Sequence, residues 1–159
     1  MMQKTRKTRY FIPAVVTGLI IVLSASCNYT KKYEEEEAAE IRNYLDSHTD
    51  LSYELKASGL YYLDEVVGTG ELAVTHDTAY FFYTGYYIDG VTFGSNVGST
   101  DTLMRPVNEG WLIAGFDEAL TYMREGGRAK ILLPSKLAYY DYEPLLYDIY
   151  LARLVPGPR

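Results

Sequence analysis

The chain has 159 residues, with 15 basic against 21 acidic side chains and a formal charge of −6. That balance argues against nucleic-acid binding and against electrostatic docking on anionic lipid. One cysteine excludes an intramolecular disulfide, and the two histidines, His48 and His76, stand too far apart in sequence for metal-ligand spacing.

Residues 1–26 read as a targeting segment. Lys4, Arg6, Lys7 and Arg9 make a basic start, and Ala14 to Leu23 is apolar but short for a bilayer span. Ser24-Ala25-Ser26 are small and Cys27 follows at once. This resembles the lipobox of bacterial lipoproteins, in which the new N-terminal cysteine carries the lipid. Leu23 stands one place earlier than the lipobox leucine, and plain signal cleavage after Ser26 fits the same small residues. An unpaired thiol in an exported protein is a liability, so lipidation at Cys27 is the expectation. Loss of residues 1–26 removes four basic and no acidic side chains, leaving 11 against 21 and a formal charge of −10. Membrane attachment then rests on the lipid. The remaining 133 residues suit one domain.

Residues 27–50 read as a polar tether and an acidic helix. From Glu34 to His48, Ala38, Ile41, Tyr44, Leu45 and His48 fall on one helical stripe, opposite a glutamate-rich face. The helix caps or spaces the domain; the stripe is short for a dimerising helix. Residues 51–159 read as the domain. Leu51 to Val67 predicts a first strand, closed by Gly68-Thr69-Gly70. Gly68 and Gly70 superficially match a dinucleotide loop, but no helix signal follows. Thr78 to Gly85 alternates Ala79, Phe81 and Tyr83 against Tyr80 and Phe82, a strong strand. Tyr86 to Phe93 predicts a hairpin turning at Asp89-Gly90. Gly94 to Thr102 reads as a surface loop or bulged edge. Phe116, Ala119, Leu120 and Met123 set a short helix stopped by Gly126-Gly127. Arg128 to Leu133 and Leu145 to Leu154 are the last strands. The fold class is α+β: an antiparallel twisted sheet wrapped around one short helix, preceded by an N-terminal helix.

Several short pieces occur in a telling order: Tyr83-Thr84-Gly85, Asp89-Gly90, Phe93, Ile113-Ala114-Gly115-Phe116, Gly126-Gly127, Leu133-Pro134 and Leu137-Ala138-Tyr139. Together they resemble the FKBP-type peptidyl-prolyl cis-trans isomerases, over about Leu60 to Val155. The resemblance implies an apolar aromatic pocket that twists an X-Pro bond without cofactor or metal. It implies catalytic roles for Tyr83, Phe93, Ile113 and Tyr139, with Ile113 giving its backbone N–H to the substrate carbonyl. It implies substrate contacts from Leu112, Phe116 and Tyr147. Trp111 is either a rim anchor or a cover over the short helix.

Three departures from the family pattern stand out. Gly94 follows Phe93 where the family has an aspartate, so the pocket carboxylate is missing. Phe116 replaces the tryptophan floor. Only Tyr140 to Pro144 separate Tyr139 from the last strand, where the family has a long closing loop. The resemblance therefore supports two functions. One is an isomerase assisting the folding of exported proteins. The other is a non-catalytic binding or chaperone module of the same fold; a weaker third is an assembly component that binds a partner through its acidic helix. In each case the expected partners are proline-containing polypeptides and a membrane reached by the anchor, with no nucleic acid. A monomer lipid-anchored in the bacterial cell envelope is expected.

Overall fold

The computed structural model describes residues 30–158. The expectations for residues 1–26 and Cys27 lie outside these. The described residues divide into two units between Glu36 and Glu37. The first helix, α1, covers residues 30–47. In its first turns Lys31 pairs with Glu35 and Lys32 with Glu36 at i,i+4 spacing on exposed surface, worth a few tenths of a kcal/mol each. Among the described residues no helix is long and apolar enough to cross a membrane.

Seven strands form one antiparallel sheet: β1 (Glu54–Leu55), β2 (Tyr61–Val66), β3 (Thr78–Tyr87), β4 (Thr92–Ser95), β5 (Leu103–Pro106), β6 (Arg128–Leu133) and β7 (Leu145–Val155). Their order is β1-β2-β6-β7-β3, and the far edge of β3 is shared. β5 pairs with its first half, from Thr78 to Phe81, and β4 with its second, from Thr84 to Tyr86. The Leu51–Val67 segment is thus two strands and a turn, since Lys56 and Leu60 bond across Gly59. β5 was unanticipated. Its four residues carry Arg105 and Pro106 and show no strand signature, and a proline is tolerated there because β5 lies at the sheet edge.

The period-2 alternation puts Phe81, Ile131, Tyr147, Ile149 and Leu151 on one face, all buried. The second helix, α2 (Ala114–Leu120), packs there through Phe116, Ala119 and Leu120. Each such large side chain contributes about 1.5–3 kcal/mol. The helix ends at Leu120, well before Gly126-Gly127. Met123 still reaches the core because i→i+3 turns continue through Tyr122 and Met123. On the opposite face, Ile41 of α1 packs with Leu132 and Leu146, flanked by Tyr44 and Leu45. The apolar stripe of α1 from Glu37 onward therefore caps the sheet. Glu37 also accepts a hydrogen bond from the backbone N–H of Ser135.

Candidate functional site

The site begins with one rung of the sheet. Ile131, Tyr147, Gly85 and Gly94 are consecutive register partners across β6, β7, β3 and β4. Two of the four carry no side chain, so the inner face opens beside Tyr147. The register slips between Gly85 and Tyr86, whose partners are Gly94 and Thr92. Phe93 is the extra residue of this bulge, and the bulge turns its ring back over Gly85. The Asp-Gly turn that returns β4 is closed by a 2.9 Å bond from Tyr87 N to Val91 O, with Gly90 at φ +87°.

The resulting cavity holds about 250 Å³ and is lined by Phe81, Tyr83, Phe93, Leu103, Trp111, Leu112, Ile113, Phe116, Tyr139 and Tyr147. All eight side chains named from the sequence as catalytic or substrate-binding line this one hollow. Phe81 and Leu103 were missed. Phe81 shares the inward alternation of Tyr83 and was legible; Leu103 lies on β5, which left no signal. Larger hollows exist, of about 300 Å³ beside Glu65, Arg128 and Asp148 and about 320 Å³ beside His48, Lys130 and Asp148. Their walls are charged. The second also carries Tyr44, Tyr53 and Tyr86, but the smaller cavity gathers seven aromatic side chains and no charged one.

Tyr147 is the hub of those rings. It meets Phe116 at 5.2 Å between centroids and 86°, Phe93 at 5.5 Å and 87°, and Tyr83 at 6.1 Å and 51°. Tyr83 meets Phe116 edge-on at 6.1 Å and 89°. Such pairs contribute about 0.5–1.5 kcal/mol beyond burial and hold the walls in place. Burial, and then the neighbouring Tyr139 and Tyr83, push the Tyr147 phenol well above its ordinary range. It stays a neutral hydroxyl.

At the rim, Ile113 precedes α2 in extended backbone, with φ −60° and ψ 145°. Its carbonyl accepts from Phe116 N and Asp117 N, each at 3.0 Å. Its own N–H has no acceptor among the described residues, and it stands at the edge of an apolar hollow. Tyr139 follows a short 3₁₀ turn, Ser135–Leu137, and is 60% exposed. Trp111 is 69% exposed and lines the hollow from its rim. A β-carbon built on Gly94 would sit 3.7 Å from Tyr83 Oη, so a side chain there would face that hydroxyl. Among the described residues no three His, Cys, Asp or Glu side chains converge as metal ligands would.

The site is thus an aromatic-walled hollow between the sheet and a short helix, with Ile113 at its rim. The pattern described as FKBP-type peptidyl-prolyl cis-trans isomerase matches residues 70–149, half of the chain. The chain is 38% identical over 85 residues to the isomerase FkpA of Aeromonas hydrophila, covering 54% of this chain and 31% of that protein. It is 32% identical over 126 residues to photosynthetic NDH subunit of lumenal location 4 of Arabidopsis thaliana, covering 66% and 58%. The crystal structure of AtFKBP13 superposes with a TM-score of 0.61 at 26% identity, over 65% of this chain and 99% of that one. The chain belongs to the FKBP-type peptidyl-prolyl cis-trans isomerases. It spans about a third to three fifths of the length of these two curated relatives.

Proposed function

We propose that the chain is a peptidyl-prolyl cis-trans isomerase that assists the folding of exported polypeptides. It acts as a monomer held in the bacterial cell envelope by a lipid on Cys27. The observation that carries the activity is the convergence of Tyr83, Phe93, Phe116, Tyr139 and Tyr147 around one hollow with the unused Ile113 N–H at its edge. The X-Pro barrier of about 18–20 kcal/mol comes from amide resonance, which also separates charge between oxygen and nitrogen. Twisting the bond removes both. Apolar walls therefore favour the twisted amide over the planar one, and a fixed N–H at the carbonyl orients it. No proton moves and no covalent intermediate forms. The anchor rests on the basic start, the short apolar run and the small residues before the single cysteine.

A second reading has its own observation. Gly94 leaves Tyr83 without a carboxylate neighbour, and Phe93 and Tyr139 are 37% and 60% exposed. A shallow, wet site of this kind suits a module that binds prolyl segments without turning them over efficiently. The deciding experiment measures cis-trans exchange of a short X-Pro peptide by NMR in the presence of the full chain. Tyr83→Ala and Phe93→Ala variants run beside it. Acceleration that both variants lose establishes the isomerase. Binding without acceleration by the folded chain leaves the binding module.

A further inference from the structure

Trp111 belongs to two hollows. One is the prolyl cavity; the other, of about 370 Å³, is lined by His76, Pro106, Glu109, Trp111 and Pro158. The indole is the wall between them. Its loop is fixed with unusual care for so exposed a residue. The buried Asp117 carboxylate accepts from Asn108 N at 2.7 Å and Gly110 N at 2.8 Å. Asn108 and Gly110 take the two left-handed positions, with φ 57° and 72°, and Asn108 Nδ2 donates to Thr75 Oγ1 at 2.9 Å. The loop base is bonded from His76 N to Val107 O and from Val107 N to Asp77 O. An exposed apolar ring on a backbone bonded in this way needs less ordering on binding than one on a loose loop.

Resting on the isomerase-family reading of the adjoining cavity, we propose that this second hollow is a subsite for a Lys or Arg side chain of the same prolyl client. Its walls divide by chemistry as such a side chain does. Pro106, Pro158 and the indole offer apolar contact to an aliphatic stem, and the indole face attracts a cation. Glu109 lies at the same hollow, with its carboxylate against His76 Nδ1. The chain's excess of acidic over basic side chains draws cationic segments toward it. Basic residues flanking proline would thus be the clients' second determinant, beside the proline itself.

The test uses the full chain and a set of dye-labelled X-Pro peptides read by fluorescence anisotropy. Lys, Leu or Glu is placed one, two or three residues from the proline on either side. Trp111 is the sole tryptophan, so its emission separately reports occupancy of the rim. At one or two placements the Lys peptide should bind about threefold or more tighter than the Leu peptide, with the Glu peptide weakest. That preference should fall to about unity in Glu109→Gln. Trp111→Leu should weaken the Lys peptide more than the Leu peptide. Equal binding of the Lys and Leu peptides at every placement overturns the subsite and leaves the prolyl cavity standing. A preference that survives Glu109→Gln overturns it as well. Failure of every peptide to bind overturns both readings.

Discussion

The ring of Phe93 lies across Gly85: a β-carbon built on Gly85 would sit 2.5 Å from Phe93 Cζ and 2.7 Å from its Cε2. The same β-carbon would be 2.9 Å from Cε1 of Tyr147. The glycine of Tyr83-Thr84-Gly85 is therefore space, kept for the two rings that wall the cavity.

Gly85→Ala tests that relationship. Phe93 is partly exposed and can swing outward, whereas Tyr147 is buried and cannot. The fold should survive with a loss of about 1–2 kcal/mol, the usual range of a modest overpacking. Affinity for X-Pro peptides should drop further than stability does. Denaturant unfolding and peptide titration on the same protein separate the two. An unchanged affinity would remove Phe93 from the binding wall.

Gly94 poses the opposite question, because there the space is empty. Its β-carbon position meets only the Tyr83 ring, at 3.7 Å from the hydroxyl and 4.0 Å from Cε2, an ordinary contact. Gly94→Asp should fit without strain and give the Tyr83 hydroxyl a charged acceptor. A charge-assisted hydrogen bond contributes about 1.5–3 kcal/mol, so the isomerisation rate should rise by up to about 10- to 100-fold where that bond strengthens as the amide twists. Exchange NMR with one X-Pro peptide measures it. No gain would mean that the shortened segment from Tyr140 to Pro144, rather than the missing carboxylate, limits the site.

The sequence carried more of this site than of the frame around it. Tyr83, Phe93, Ile113, Phe116 and Tyr139 were legible because short motifs in a fixed order report a pocket even when each residue alone reads as core. The long strands β3 and β7 were legible from strict alternation. β5 was not, since four residues ending in proline carry no period, and with it went Leu103 of the cavity wall. The loop of Trp111 was also hidden. Its stability comes from Asp117 reaching back to Asn108 and Gly110, nine and seven residues earlier, and no local pattern announces such a bond.

The tyrosines set an alkaline limit. Tyr53, Tyr62 and Tyr147 all have phenols raised above the ordinary 10.0, each through burial first; Tyr62 adds a 2.7 Å hydrogen bond to Asp64. In the unfolded chain these groups lose protons from about pH 10, while the folded protein keeps them. The unfolded state then binds fewer protons, so stability is full below pH 10 and falls as pH rises beyond it. The slope should be about 1.4 kcal/mol per pH unit for each such tyrosine. Denaturant unfolding between pH 8 and 11.5 should show a plateau and then this decline. Tyr62→Phe should make the decline shallower by one proton. A flat profile to pH 11.5 would contradict the burial of these hydroxyls.

Glu37 links the acidic helix to the cavity. Its carboxylate accepts from the N–H of Ser135, a buried residue that opens the 3₁₀ turn leading to Tyr139. Tyr140 N bonds back to the Ser135 carbonyl at 2.9 Å, so the same residue anchors both sides of Tyr139. Glu37→Ala leaves the Ser135 N–H without this acceptor, which costs about 1–3 kcal/mol where water cannot replace it. Two measurements check the link: thermal unfolding and the affinity for an X-Pro peptide. Both should fall, and Glu37→Gln, which retains an acceptor oxygen, should recover most of each. If stability falls and affinity does not, the helix supports the sheet without positioning Tyr139. If neither changes, the Ser135 N–H finds another acceptor, and α1 holds the sheet through Ile41, Tyr44 and Leu45 alone.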